Sequence, residues 1–368
     1  MNILINTMSL FDRSHITDFY RSLYAHWIKK YPQHQFIFLT EENEVLSIAG
    51  ADNCKKIQLK APFRTSFFKE IWLRRKLRTL ARREQAALFI SHEISIPNAG
   101  IPQLLLSPSS YRDLPKAKSA LVFKNVQSVM VHTLAEKEWL QKEYPAAAVK
   151  IHYVKEAPSN AFFTATDENI ELTKEKYTAG NEFFLYTGAI GEQQNLMRLL
   201  KSFSLFKKRQ RSGMQLVMAG YPSVDFAAFE QSLKTYRFKN EVLLLCPADE
   251  QEKQSLVAAA YACVFPNDME RDTSALYQAL QLKCAVIAAA GGRFAELAGD
   301  AALSANMQDV RDLAEKMTLI FQDERLRYHL VENGSRQIKS FDFETSAQAI
   351  WDIIVALHTD HISDRTPY

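Results

Sequence analysis

The chain has 368 residues, 47% of them hydrophobic and 24% charged, with a formal charge of +3. That length exceeds one ordinary domain and suits two. The near balance of charge by itself implies neither a nucleic-acid nor a membrane partner. The four cysteines, Cys54, Cys246, Cys263 and Cys284, form no CxxC pair, which argues against a structural zinc or a disulfide framework. Three of them sit in apolar runs and read as small buried hydrophobes, as suits a reducing cytosol.

Residues 1–6 read as a strand without a basic leader, so no signal peptide is expected, and no apolar window is long enough for a transmembrane helix. In the first half, strands are expected at Ile3–Asn6, Gln35–Thr40, Lys56–Leu59, Ala87–Ser91, Gln103–Ser107, Ser128–His132 and Val149–Val154. Amphipathic helices are expected at Ile16–Lys30 and Leu134–Glu143. In the second half the strands read Phe183–Thr187, Met214–Ala219, Val242–Cys246, Ala262–Pro266 and Ala285–Ala289. Helices there fall at Asn195–Lys208, Asp225–Tyr236, Glu250–Ala260, Thr273–Leu282 and Val310–Asp323. Pro158–Asn181 is polar and reads as a linker. A last helix, about Glu344–Leu357, carries Ile350, Trp351, Ile354 and Val355 on its apolar face, with a polar tail after it.

Strand–helix alternation, occurring twice, predicts two parallel, doubly wound sheets. Such sheets bind ligands beyond the carboxyl ends of their strands.

Four stretches of the second half carry a family resemblance. They are Phe184-Leu-Tyr-Thr-Gly188 with Asn195-Leu196, Gln215-Leu-Val-Met-Ala-Gly220, Val264-Phe-Pro266 through Glu270 with Ala285-Val-Ile287, and Phe294–Ala302 followed by Phe341-Asp-Phe343. Together they resemble the family-4 glycosyltransferases, the retaining group with the GT-B fold. The first half is similar to that family's acceptor domain through Ile5-Asn-Thr7, Pro32-Gln-His-Gln-Phe36 and Ile101-Pro-Gln103. The resemblance implies two Rossmann-like α/β domains facing across a cleft, with a C-terminal helix crossing back. The implied boundaries are 1–160 for the acceptor-type domain, 161–345 for the donor-type domain, and 346–368 for the returning helix and tail.

The implied activity is hexosyl transfer, with retention, from a nucleotide-sugar donor to a glycan or lipid-linked acceptor, as in polysaccharide biosynthesis. The donor is a substrate; no cofactor or metal is expected, and the histidines lack metal-ligand spacing.

Several positions depart from the family pattern. An Arg or Lys pair usually neutralises the diphosphate just before the Asn-Leu of the first donor-domain helix. Here Gln193 and Gln194 stand there, between Gly188 and Asn195, and bring no charge. Arg198, one turn on, is a candidate substitute cation or a solvated helix residue. Two glutamates eight positions apart usually hold sugar and ribose; Glu270 matches the first and is the catalytic candidate, whereas Gln278 replaces the second. The glycine loop between them reads Arg271-Asp272-Thr273-Ser274. Asp272 or Thr273 suits a helix N-cap, and Arg271 is either a rescuing cation or part of a reshaped loop.

On the acceptor side, the family's Gly-Ile-Gly corresponds to His15-Ile16-Thr17, and its His-Asp pair to Pro108-Ser109. The later Ser-Glu helix opening corresponds to His132-Thr133. His92-Glu93 follows a strand and is either an acid–base pair at the cleft or a loop pair. His15, Thr17, His92, Glu93 and Ser109 are thus the cleft candidates.

Lys60–Glu84 holds nine basic and two acidic residues with Phe67, Phe68, Ile71 and Trp72 interleaved. It suits weak peripheral contact with an anionic membrane from the cytoplasmic side, or a structural helix with a solvated basic face. Nucleic acid is not an expected partner, because no recognised nucleic-acid module accompanies the charge. Two functions stay open: a glycosyltransferase with impaired activity, and a non-catalytic relative acting as a binding or partner subunit.

Overall fold

The computed structural model describes residues 1–7, 17–40, 51–59, 66–92, 99–106, 123, 126–145, 150–158, 165–191, 195–267 and 273–363. The chain divides into two compact units. One comprises Met1–Ser159 with Asp342–Tyr368, and the other Asn160–Phe341.

The first unit is built on strands β1 (Asn2–Asn6), β2 (Gln35–Thr40), β3 (Cys54–Gln58), β4 (Ala86–Ser91), β5 (Gln103–Leu106), β6 (Ser128–Val131) and β7 (Lys150–Tyr153). All pair in parallel, in the order β3-β2-β1-β4-β5-β6-β7. Successive strand side chains point to opposite faces, so a continuous apolar run serves two cores. Ile3, Ile5, Phe36, Phe38, Leu88 and Ile90 enter one, and Leu4, Ile37, Leu39 and Phe89 the other.

Helix α1 (Thr17–Lys30) and the C-terminal helix Phe343–Ser363 close the first of these cores, through Leu23, Tyr24 and Trp27 and through Ile350, Trp351 and Ile354. Helix α2 (Ser66–Arg83) closes the second with Leu73, Leu77, Leu80 and Ala81, leaving Arg74, Arg75, Lys76, Arg78, Arg82 and Arg83 exposed. Helix α3 (Leu134–Glu143) opens at Thr133, whose hydroxyl accepts from the Glu136 amide at 3.1 Å.

The second unit repeats the plan with β8 (Phe183–Ile190), β9 (Gln215–Pro222), β10 (Val242–Leu245), β11 (Ala262–Phe265), β12 (Ala285–Ala289) and β13 (Ala302–Ala305). These lie parallel in the order β10-β9-β8-β11-β12-β13. Its helices are α4 (Asp167–Thr178), α5 (Leu196–Gln210), α6 (Phe226–Lys234), α7 (Glu250–Ala259), α8 (Ser274–Gln281), α9 (Arg293–Ala298), α10 (Val310–Gln322) and α11 (Glu324–Ile338); the C-terminal helix Phe343–Ser363 is α12. Helix α5 buries Leu196, Leu199, Leu200, Phe203 and Phe206, the spacing of one helical face. Gly220 is fixed by space: a Cβ there would lie 1.8 Å from the Gly188 carbonyl oxygen on the neighbouring strand.

Three expectations need correction. The polar stretch read as a linker contains helix α4, capped by Thr166 and ended by Ala179 in the left-handed conformation. It buries only Thr173 and Thr178 and holds to α7 through a Tyr177–Glu252 hydrogen bond, so no apolar stripe announces it. The last helix continues to Ser363, past the apolar face that suggested Leu357. Strand β13 is short and only partly buried, and its composition gave no strand signal.

Candidate functional site

The reversal of strand order in the second unit falls between β8 and β11, and at such a point the loops leaving the two strands part to leave a crevice. Gly188, near the end of β8, has a φ of +144°, a value that favours glycine. Beside it the Thr187 hydroxyl is buried, with no hydrogen-bond partner among the described residues. Asn195 adopts φ +59° at the start of α5, and its carbonyl accepts from the amides of Arg198 and Leu199 at 3.0 and 3.1 Å. Its side-chain amide donates to the Pro266 carbonyl at 3.0 Å, tying the segment after β8 to the one after β11.

The Arg198 guanidinium donates to the Met307 carbonyl at 2.9 Å and so holds α5 to the segment before α10. This bond engages one of the five guanidinium donors and leaves the charge in place. Thr273 stands at the N-cap of α8 and is buried, but its side chain makes no capping bond, since its backbone is helical (φ −77°, ψ −9°) rather than extended. Ser274 is the first helical residue.

Gln278 is 4% exposed on the same helix. Its amide nitrogen donates to Glu250 Oε1 at 2.5 Å, and Glu250 Oε2 pairs with Lys253 at 2.6 Å. One of the amide's two N–H donors is thus taken by protein. Sequence reasoning missed both Glu250 and Thr187. Glu250 reads as an ordinary first-turn acid behind the Asp249 cap, and no spacing relates position 250 to 278.

In the first unit the order reverses between β1 and β4. Here Asn6 donates to Ser91 Oγ at 3.4 Å, and the Thr7 hydroxyl donates to the Leu39 carbonyl at 2.9 Å. His92 follows directly but is 8% exposed, with Nε2 2.5 Å from the Tyr24 hydroxyl. Burial pushes its pKa down to about 3; the Leu106 backbone opposes this and nearby His132 adds to it. His92 is neutral at ordinary pH, and the Tyr24 phenol, pushed well above its usual range by burial, is its donor. His132 is tied likewise, Nε2 2.7 Å from the Tyr20 hydroxyl and Nδ1 2.9 Å from the Val154 carbonyl. The Tyr20 and His92 rings lie 4.2 Å apart edge-on, so these residues form a packed aromatic layer beneath α1.

His15, Glu93, Pro108, Ser109, Gln193, Gln194, Glu270, Arg271 and Asp272 lie outside the described residues, as does the side chain of Thr17 at the start of α1. Among the described residues no three His, Cys, Asp or Glu side chains are placed to hold a metal ion, and no helix is long and apolar enough to cross a membrane.

Two parallel, doubly wound Rossmann-like units make this a protein of the GT-B fold. Residues 168–337, within the second unit, match the family described as glycosyl transferases group 1. By sequence the chain is similar to O-antigen chain mannosyltransferase B of Escherichia coli, 24% identical over 202 residues, which cover 55% of this chain and 52% of that protein. The match thus spans about half of that relative's length. Among solved structures, sucrose-phosphate synthase of Thermosynechococcus elongatus superposes with a TM-score of 0.80 at 16% identity, covering 98% of this chain and all of that one. Anabaena HepE, solved with UDP and glucose, gives 0.76 at 12% identity, covering 97% of this chain and all of that one.

Proposed function

We propose that the chain is a retaining glycosyltransferase of the family-4 type. It would take a nucleotide-sugar donor beyond the carboxyl ends of β8 and β11 and transfer the sugar to a glycan or lipid-linked acceptor, with donor binding and turnover weakened by its own substitutions. The observation that carries this reading is the tie between Asn195 and the Pro266 carbonyl. It fastens the start of α5, which follows β8 and Gly188 in the chain, to the segment that leads to Glu270. In this reading Glu270 acts on the sugar, the Gln278 amide oxygen accepts from the ribose, and the Thr187 hydroxyl, which has no partner among the described residues, is a further donor. Gln193 and Gln194 supply hydrogen bonds but no charge to the diphosphate.

Calorimetric titration with a panel of nucleoside diphosphates tests this directly. Weak binding that tightens in the Gln193→Arg, Gln194→Lys variant supports it; no binding by either protein overturns it. The second reading, a non-catalytic partner subunit, is favoured by one observation: Arg198, the cation closest in sequence to the glutamine pair, already donates to the Met307 carbonyl. A protein that binds no diphosphate in either form supports that reading.

We also propose weak peripheral contact with anionic membrane through the Lys60–Glu84 segment, supported by the exposed guanidinium and ammonium groups of α2. Flotation with phosphatidylglycerol vesicles at rising salt tests it; absence of binding at low salt removes it.

A further inference from the structure

The first unit carries a cavity at the amino ends of β4 and β5, the opposite end of the sheet from Asn6 and Ser91. It measures about 670 Å³, within the range of roughly 300–1,000 Å³ usual for small-molecule sites. Arg78 and Arg82 reach it from the last turns of α2, and His358 and His361 from the last turns of α12. Gln85 and Gly100 belong to the segments that lead into β4 and β5.

No carboxylate is among the described residues that line it. Neither Arg78 nor Arg82 is paired with one among the described residues. The nearby acids are engaged elsewhere: Glu84 with Lys55 and Arg83 at 2.6 and 2.8 Å, and Asp360 with Lys150 at 3.2 Å. His358 Nδ1 has no hydrogen-bond partner among the described residues. Gly100, at φ +83°, brings the loop before β5 against Arg78, whose Cγ and Nε lie 3.8 and 4.0 Å from where a glycine Cβ would stand. The ends of both helices favour cations, which accounts for the residue types. It does not account for their convergence, from two helices far apart in sequence, on one cavity without an acid.

We infer that this cavity is a binding site for a phosphomonoester group, separate from any donor site and independent of the proposed activity. Two guanidinium groups one helical turn apart match the oxygens of a phosphate dianion, and the His358 imidazole supplies a further donor. The same chemistry is offered by a free small phosphate and by the headgroup of a phosphatidate lipid.

Hydrogen exchange on the full chain, with inorganic phosphate and separately with phosphatidate vesicles as probes, tests this. The expected result is protection confined to the ends of α2 and α12 and to residues 99–101. Arg78→Gln with Arg82→Gln should weaken it about tenfold or more, since each lost contact is charge-assisted. Arg75→Gln with Lys76→Gln removes the same charge from the same helix outside the cavity and should leave phosphate protection in place. Protection by soluble phosphate identifies a free ligand; protection by phosphatidate vesicles and not by phosphatidylglycerol vesicles of equal charge identifies a headgroup. No protection with either probe overturns the inference, as does equal loss of phosphate protection in both variants. Unchanged thermal unfolding of the variants shows that the loss is not one of folding.

Discussion

The indole of Trp351 lies flat on the ring of Tyr31, with 3.9 Å between centroids and 10° between planes. Around this pair Trp27 donates to the Ala347 carbonyl at 3.3 Å, and the Tyr31 hydroxyl donates to Gln348 at 3.0 Å. One helix turn of α12 is thus fastened to the end of α1 by stacking and hydrogen bonds together.

Trp351→Ala should therefore destabilise the first unit by about 3–5 kcal/mol, the cost of truncating a large buried aromatic. Trp351→Phe should lose less, because stacking partly survives. Urea unfolding followed by far-ultraviolet circular dichroism measures both. Equal midpoints for Trp351→Ala and the natural protein would show that α12 is not held through this ring.

Gln278→Glu is the substitution that would restore the family's second glutamate. It should not be benign, because it sets a second carboxylate against Glu250 at a buried position. The expected loss is about 1–3 kcal/mol at neutral pH. Crowding by Glu250 raises the new carboxyl's pKa in the folded state, so the loss is absent in acid and grows as pH rises through that value. Exchanging the pair, Glu250→Gln with Gln278→Glu, should recover most of the stability. If the single variant unfolds like the natural protein at neutral pH, the 250–278 contact carries no weight.

His92 gives the first unit an acid limit. Its pKa is about 3 in the fold against 6.5 when free, so the unfolded chain takes up a proton that the folded chain refuses. Its contribution is complete above pH 6.5 and is lost as pH falls toward 3, at up to ~1.4 kcal/mol per pH unit. His26, His34 and His152, also lowered by burial, act in the same direction. His92→Asn should flatten the pH dependence of unfolding by close to one proton. Denaturant titrations across that window read the slope directly, and parallel slopes for the two proteins would sink the assignment.

Restoring charge at the diphosphate positions should raise nucleoside-diphosphate affinity. Each charge-assisted hydrogen bond contributes roughly 1.5–3 kcal/mol, so Gln193→Arg with Gln194→Lys should gain on the order of a hundredfold or more. The gain should shrink with salt, as expected of a charge interaction. Calorimetry at two ionic strengths checks both points; an unchanged affinity removes the electrostatic account of weak donor binding.

What could be read in advance follows physical lines. Strands such as Ile3–Asn6 and Phe36–Leu39 are apolar on both faces, and only a sheet buried on both sides asks for that. Helix α4 stayed hidden because Glu168, Glu171, Lys174 and Glu175 dominate it and only two threonines are buried. The Gln278–Glu250 contact joins residues with no periodic relation, so only the tertiary fold creates it. His92 followed a strand as expected, yet nothing in its neighbourhood of sequence revealed that Tyr24, from another element, would cover it.

The first unit is assembled from both ends of the chain, with residues 160–341 between its parts. During synthesis Ala347, Ile350, Trp351 and Ile354 emerge only after the whole second unit has been made, so the sheet face bearing Ile3, Ile5, Phe36 and Phe38 waits with only α1 to cover it. The unit that comes second in sequence is thus the first that can finish folding. The nascent chain meanwhile carries an open apolar surface, the kind of exposure on which chaperones act.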